Sequence, residues 1–230
     1  KLGVDSSLTF GDGILLQLSE DCVLTSTWRF AGRAVIDGRY KNLDLALSTS
    51  AGLIVEQGGA LRIVNTNISG VCDKKLFIAD DNSSLELMSS VVLLSGNCTV
   101  TSGSLVIAND VYLQGPHSCF SFASTGTLVL KYGANLHIDS VVSLLNNNPK
   151  NSRTPFIFED GSSCVSLHNA RLVSGSAGLK LSTGTLIVSG TSVLEGLGAG
   201  EFQSLSISDV FNVKVQVGAT LALVGAIVYE

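Results

Sequence analysis

The chain has 230 residues, of which 45% are hydrophobic and only 14% are charged, against about 25% charged residues in typical soluble domains. The net charge is −5 and the 14 Lys and Arg residues are scattered, so the sequence lacks the basic patch that nucleic acids or anionic membranes require. The longest charge-free stretch near an end, residues 215–229, has 15 residues, fewer than the about 20 apolar residues of a spanning helix, and we expect no membrane insertion.

The first 50 residues form the least regular part of the sequence, although KLGVDSSLTF (1–10) is already strand-like. The chain starts at Lys1 rather than Met, which indicates a mature protein without its signal peptide or a fragment. Residues 1–50 are therefore expected to hold loosely patterned strands and an N-terminal cap ahead of a more regular region.

From residue 50 onward, one phrase made of a turn and a short strand recurs, as in GALRI (59–63), GSLVI (103–107) and GTLIVSG (184–190). The first apolar residue of each copy serves as an anchor, and the residue two positions later is apolar in all seven copies. The anchors are Leu61, Leu85, Leu105, Leu128, Val165, Leu186 and Leu221. This alternation predicts short strands that bury one face.

The spacing of the anchors predicts the architecture. Four of the six spacings lie between 20 and 24 residues, and the longer ones, 37 and 35, indicate extra residues or an unmarked coil. A period of this length with about three short strands is typical of a β-solenoid, in which stacked coils bury matching side chains. About ten coils, or roughly 48 Å, are expected at the usual strand spacing. A β-sandwich or barrel is the alternative, and it would lack the coil-length repeat.

Two segments interrupt the repeat and are predicted to be loop insertions: the polar residues 146–155 and residues 196–204. The first contains two of the three prolines and departs furthest from the repeat, so we predict that it is a contact loop. Its candidate contact residues are Asn147, Asn148, Lys150 and Arg153.

Three segments, GGALRIVNTNISG (58–70), GSLVIANDVYLQG (103–115) and GTLIVSGTSVLEG (184–196), resemble the right-handed parallel β-helix family, especially the passenger segments of bacterial autotransporters and related surface adhesins. The resemblance covers most of residues 50–230. It implies an all-β, right-handed parallel β-helix (β-solenoid) with about 20–24 residues per coil. Residues 1–230 would form a single domain of a secreted or cell-surface protein with a structural or adhesive role.

The titratable residues form no recognisable catalytic or metal-binding motif. Adjacent carboxylates are interpreted as solvated turn formers, and Asp80 and Asp160, each five residues before an anchor, are expected at one shared corner about four coils apart. The three histidines fall at different phases of the repeat. We therefore predict no enzymatic activity, no cofactor, no metal and no nucleic-acid partner. The alternatives are a polysaccharide lyase or hydrolase of the parallel β-helix class and a glycan-binding module without catalysis.

The five cysteines show no C-x-x-C spacing, so zinc binding is not expected. We interpret them as small buried side chains, as free cysteines often are. One disulfide is the alternative in an exported protein.

The two ends of the sequence are the predicted association surface. Each end of a solenoid presents an unpaired strand, which polar residues usually protect. Here the segment ATLALVGAIVYE (219–230) stays apolar instead. We expect the last coil of one subunit to pair with the first coil of another in a fibre, with a truncated chain as the alternative. The candidate interface residues are Leu2, Val4, Leu8, Phe10, Leu221, Leu223, Ile227 and Tyr229. A surface ligand or glycan is the other expected partner.

Overall fold

The computed structural model describes residues 7–46, 48–144, 156–175, 178–196, 205–225 and 227–229. Within these ranges all regular secondary structure is β-strand, joined by turns and short irregular segments. The described residues therefore include no candidate membrane-spanning helix.

The strands are short at the ends of the chain and longest in its middle. The first eleven are β1 (Ser7–Phe10), β2 (Ile14–Gln17), β3 (Cys22–Val23), β4 (Thr27–Phe30), β5 (Arg33–Asp44), β6 (Gly52–Val55), β7 (Ala60–Val71), β8 (Leu76–Ile78), β9 (Ser84–Leu94), β10 (Cys98–Val100) and β11 (Ser104–Phe122). The others are β12 (Leu128–Leu130), β13 (Asn135–Leu144), β14 (Phe156–Phe158), β15 (Cys164–His168), β16 (Arg171–Ser174), β17 (Leu179–Leu181), β18 (Thr185–Ser189), β19 (Thr191–Gly196), β20 (Leu205–Ile207), β21 (Asn212–Val215), β22 (Thr220–Gly225) and β23 (Ile227–Tyr229).

Every pair of neighbouring strands in the described ranges is parallel, and the partners belong to successive turns of the chain. The strands form three faces. Face A begins with β1, β4, β6 and β8. Face B begins with β2 and the first half of β5, and face C begins with β3 and the second half of β5.

Face C gives the length of the stack. It runs through β3, the second halves of β5, β7 and β9, the middle of β11, the first half of β13, and then β15, β18 and β21. These nine strands make eight steps of 21 to 29 residues, so the predicted 20–24 residues covers only the lower part of the range. At about 4.8 Å per step, the face is about 38 Å long. Counted along this face, the rod has about eight turns rather than ten, and the prediction of an all-β parallel β-solenoid is confirmed.

The interior is filled by the apolar residues of the recurring phrase. Six of the seven anchors are fully buried, and Leu61, Leu85 and Leu105 are stacked directly on one another. A small void of about 30 Å³, lined only by aliphatic and aromatic side chains, lies in the middle of the stack. The seventh anchor, Leu221, is only partly buried because it lies in the last turn described.

The recurring phrase does not stay on one face of the rod. The interpretation of the seven anchors as equivalent positions of successive turns is therefore corrected. Leu105 pairs with Leu128 on face B, but Leu128 then pairs with Phe156. Val165 lies on face C, where its partners are Leu136 and Leu186. The long spacing from Leu128 to Val165 therefore holds one full turn plus one face. Any face can take the phrase, because all three present inward side chains to the same core.

The carboxylates before two anchors also lie at different corners, contrary to the prediction of a shared corner. Asp80 lies in the turn between faces A and B, whereas Asp160 lies between faces B and C. The two turns nevertheless use the same chemistry. In each, the hydroxyl of the serine three residues later, Ser83 or Ser163, lies within 2.6 Å of the carboxylate. The interpretation of these residues as turn formers is consistent with these hydrogen bonds.

The turn at Asp160 gives the rod a testable pH dependence. Hydrogen bonds from the hydroxyls of Ser162 and Ser163, and from backbone amides, lower the pKa of Asp160 to about 2. Because the folded pKa lies below the unfolded value of about 3.9, ionised Asp160 stabilises the fold above about pH 4, and this stabilisation is lost as the pH falls toward 2. We expect Asp160→Asn to lower the melting temperature at pH 7 and the difference from wild type to shrink between pH 4 and pH 2.

Glu20→Gln is the matched control for this experiment, because the exposed Glu20 side chain makes no hydrogen bond or ion pair with any described residue. It should change the melting temperature little at any pH. A difference between Asp160→Asn and wild type that stays constant from pH 7 to pH 2 would contradict the assignment. Melting is followed by circular dichroism.

Candidate functional site

The C-terminal end of the described rod exposes side chains that occupy core positions. Val213 and Val215 of β21 continue the columns of Leu186 and Val188, which are fully buried, yet they are 41% and 49% exposed. Face A continues through β10, the ends of β11 and β13, β16, β19 and β22. There Leu223 follows the fully buried Leu194 and is 57% exposed. Among the described residues, no strand pairs with the free side of β21 or β22. Within the described residues, the last turn therefore presents a cross-section of the core that no further turn covers.

At the N-terminal end, aromatic side chains of the first two turns pack against one another and against the core. The ring of Phe10 lies 5.2 Å from that of Phe30 in a stacked arrangement and 5.6 Å from that of Trp28, edge to face. Ile14 and Leu16 on face B are half-buried against the same core. This end therefore offers strand edges and a partly filled cross-section.

The predicted interface residues fall at both ends of the rod. Leu8 and Phe10 lie on β1, Leu221 and Leu223 lie on β22, and the backbones of Ile227 and Tyr229 belong to β23. Leu2 and Val4 lie outside the described residues, as do all four predicted contact-loop residues: Asn147, Asn148, Lys150 and Arg153.

Val213 and Val215 were not among the predicted interface residues, although the sequence carries a signal for them. Valine occupies every second position from 213 to 217. Such alternation indicates a strand with one apolar face. Pairing with β18 then assigns the first two valines to core positions of face C.

A second surface feature is a lateral cleft of about 190 Å³ on the outside of face C. Polar or aromatic side chains of four successive turns contribute to it: Tyr112, Gln114, His137, Asp139, His168 and Ser189. Tyr112 and His137 are direct partners on adjacent strands, and their rings stack with centroids 4.2 Å apart and planes 5° apart. The regular spacing of the turns brings these sequence-distant residues together.

The hydrogen bonds of the two histidines differ. His168 is held on both sides, with Nδ1 3.0 Å from the hydroxyl of Ser189 and Nε2 3.1 Å from the side-chain amide of Asn169. His137 uses only its Nε2, which lies 2.8 Å from Nδ2 of Asn135 and 3.3 Å from Asp110. Nδ1 of His137 makes no hydrogen bond to any described residue.

The chemistry expected of a metal or redox centre is not assembled in the described ranges. No group of three or more His, Cys, Asp and Glu residues is placed there to hold a metal ion. All five cysteines are free thiols. Burial, with a smaller effect of the nearby Asp73, raises the pKa of Cys98 to about 12, so this thiol stays protonated and unreactive.

Comparison of the chain with protein-family models, with curated proteins and with solved structures found no match. The geometry defines the class as a parallel β-solenoid, and the resemblance to autotransporter passengers and adhesins stays a prediction.

Proposed function

We propose that this protein is a structural or adhesive rod of the cell surface or extracellular space that associates end to end. The observation that supports this proposal is the exposure of Val213, Val215 and Leu223 at core positions of the last described turn. Edge strands with exposed apolar side chains pair readily with another chain.

The partner that fits this end is the first turn of a second copy. That turn supplies β1, β2 and β3, one strand for each of the three faces. Continuing each face, β1 would place Leu8 and Phe10 over Leu223, and β3 would place Cys22 beside Val213 and Val215, with all strands remaining parallel. Because the two surfaces are different, the contact is head to tail and propagates unless its rotation closes a ring.

Magnitudes indicate that this association is weak and depends on concentration. Covering three half-exposed aliphatic side chains contributes about 1 kcal/mol each, since full burial is worth about 1.5–3 kcal/mol. Lost translational and rotational freedom costs about 4–15 kcal/mol. The balance must come from backbone hydrogen bonds along β21 and β22, at about 0.5–1.5 kcal/mol each. We therefore expect weak association that depends on concentration, and we test it up to about 1 mM, where a binding free energy of about −4 kcal/mol suffices.

The test introduces lysines at the exposed core positions. The double variant Val213→Lys/Leu223→Lys places two charges in the proposed contact without disturbing a filled part of the core. We expect wild type to grow in mass with concentration in light scattering and to form rods in electron micrographs, and the double variant to remain monomeric.

Val224→Lys is the matched control, because Val224 is 45% exposed on the same strand but continues the outward column of Glu195. It should assemble like wild type. A wild-type protein that stays monomeric up to about 1 mM, or a control that loses assembly as completely as the double variant, would refute end-to-end association.

A polysaccharide lyase or hydrolase is less well supported. Asp80 and Asp160, which were expected at one corner, lie at different corners and are both engaged in turn hydrogen bonds. Catalytic carboxyl pairs of glycosidases lie about 5–9.5 Å apart across a substrate.

A further inference from the structure

We propose that the lateral cleft on face C is a binding site for a neutral saccharide. This inference is independent of end-to-end association, because none of the residues that line the cleft belongs to the first turn or to β21 and β22, and the polar side chains that line it lie on the outside of the rod. It would give an adhesive rod a ligand along its side.

The cleft combines a flat ring pair with polar groups that have free hydrogen-bonding capacity. The stacked rings of Tyr112 and His137 both line the cleft, and Tyr112 is 38% exposed. The side-chain amide of Gln114 makes no hydrogen bond to any described residue, and Asp139 uses one carboxylate oxygen, which accepts from the backbone amide of Gly115 at 2.9 Å. These groups offer both donors and acceptors to a ligand.

Sugars suit this combination, because each hydroxyl is at once a donor and an acceptor and the ring carries apolar C–H faces. Gln114 and Asp139 are direct partners on adjacent strands, so the amide and the carboxylate lie side by side on the cleft wall. Neighbouring hydroxyls of one sugar ring could then bond both groups, while Nδ1 of His137 offers a third polar contact.

The charges of the cleft exclude acidic ligands. Neither Lys nor Arg lines it, whereas Asp139 does, and the carboxylate of Asp110 lies 3.3 Å from His137. Phosphate, sulfate or uronate groups would meet a site of the same sign. The volume of about 190 Å³ is below the roughly 300–1,000 Å³ of pockets for drug-sized ligands. A single neutral sugar unit, alone or within a chain that runs along the rod, is therefore the expected occupant.

The test measures saccharide binding to the whole chain. The probes are neutral gluco-, manno- and galacto-oligosaccharides, with polygalacturonate and heparin as acidic counterparts, in isothermal calorimetry. A second readout is the NMR signals of the imidazole rings, where a neutral sugar in the cleft should shift His137. We expect at least one neutral series to bind and the acidic polymers not to bind.

Two substitutions locate the site. Gln114→Ala should weaken neutral-sugar binding about fivefold and Asp139→Asn about tenfold, since one neutral hydrogen bond is worth about 1 kcal/mol and a charged one more. Tyr132→Ala is the control, because Tyr132 is 78% exposed in a turn that does not line the cleft, and it should bind like wild type. Circular dichroism checks that each variant is folded.

The proposal is overturned if no neutral saccharide binds, if the acidic polymers bind in preference, or if both cleft variants bind as well as wild type. Since these outcomes do not depend on rod length, they can be separated from failure of end-to-end association by repeating them on Val213→Lys/Leu223→Lys.

Discussion

Replacing Gly126 by alanine is expected to destabilise the rod by about 3 kcal/mol or more, at the upper end of the range for overpacking. A Cβ atom at Gly126 would lie 2.2 Å from the carbonyl oxygen of Gly103 and 2.6 Å from its carbonyl carbon. The obstacle is backbone of the neighbouring turn and cannot swing aside as a side chain would. The hydroxyl of Ser124 further fixes this spot, since it donates to the Gly103 carbonyl at 2.6 Å and accepts from the Gly126 amide at 2.9 Å.

Gly161→Ala is the matched control, because a Cβ atom there would meet nothing within 4 Å. Neither glycine has a positive φ, so the comparison isolates steric contact between turns from backbone conformation. We expect Gly161→Ala to unfold within about 1 kcal/mol of wild type in urea, as surface substitutions usually do. Equal urea midpoints for the two variants would show that adjacent turns do not approach as closely as described.

The close approach at Gly126 also explains why the recurring phrase so often opens with glycine. Gly59, Gly103, Gly126 and Gly184 each stand two residues before an anchor. Two of them, Gly103 and Gly184, have positive φ angles, as expected of a corner. At Gly59 and Gly126 the requirement is instead the absence of a Cβ atom beside the backbone of a neighbouring turn. Gly103 and Gly184 meet both requirements, since an added Cβ atom would also lie 2.6 Å from the carbonyl oxygen of Ser83 and 3.0 Å from that of Ser163, respectively. The sequence shows the recurring glycine but not which requirement applies at each corner.

The architecture could be predicted because stacking demands repetition. A solenoid turn cannot bury its inward side chains alone, so alternating apolar residues recur at the length of one turn, and this period is visible in one sequence. The face on which each copy lies is not visible. Leu128 and Val165 carry the same phrase but lie on faces B and C, because the core accepts an aliphatic side chain from any face.

The same ambiguity hid the lateral cleft. Counted from the anchors Leu128 and Val165, His137 and His168 fall at unrelated phases, because the two anchors lie on different faces. Leu136, not Leu128, is the partner of Val165. His137 lies one residue after Leu136 and His168 lies three residues after Val165, so both histidines belong to face C and point to the same side of it. Register between turns, which depends on the lengths of the turns and insertions, must be known before side-chain columns can be read.

Only part of the C-terminal association surface could be predicted from the sequence, again because the register between turns was unknown. Leu221 and Leu223 stand out because the sequence stays apolar around them. Val213 and Val215 follow a polar segment, and only their pairing with β18 identifies them as core positions. Exposure of a core position is a property of the stack, since it depends on whether another turn covers it.

Replacing Leu85 by alanine tests whether the stacked columns hold the rod together. Leu85 is fully buried between Leu61 and Leu105 of the adjacent turns. Truncation removes contacts to both neighbours and leaves a cavity in the middle of the stack. We expect a loss of about 3 kcal/mol, within the range of about 2–5 kcal/mol for buried leucines, measured by urea unfolding.

Because each turn contacts only its neighbours, this loss should also weaken the coupling between the two halves of the rod. Hydrogen exchange is expected to rise first in β7, β9 and β11, which form the turns around Leu85. Leu93→Ala on the same strand is the control, since Leu93 is 38% exposed on the outer surface, and it should cost less than about 1 kcal/mol. If the two variants unfold at the same urea concentration, the columns of matching side chains are not what stabilises the stack.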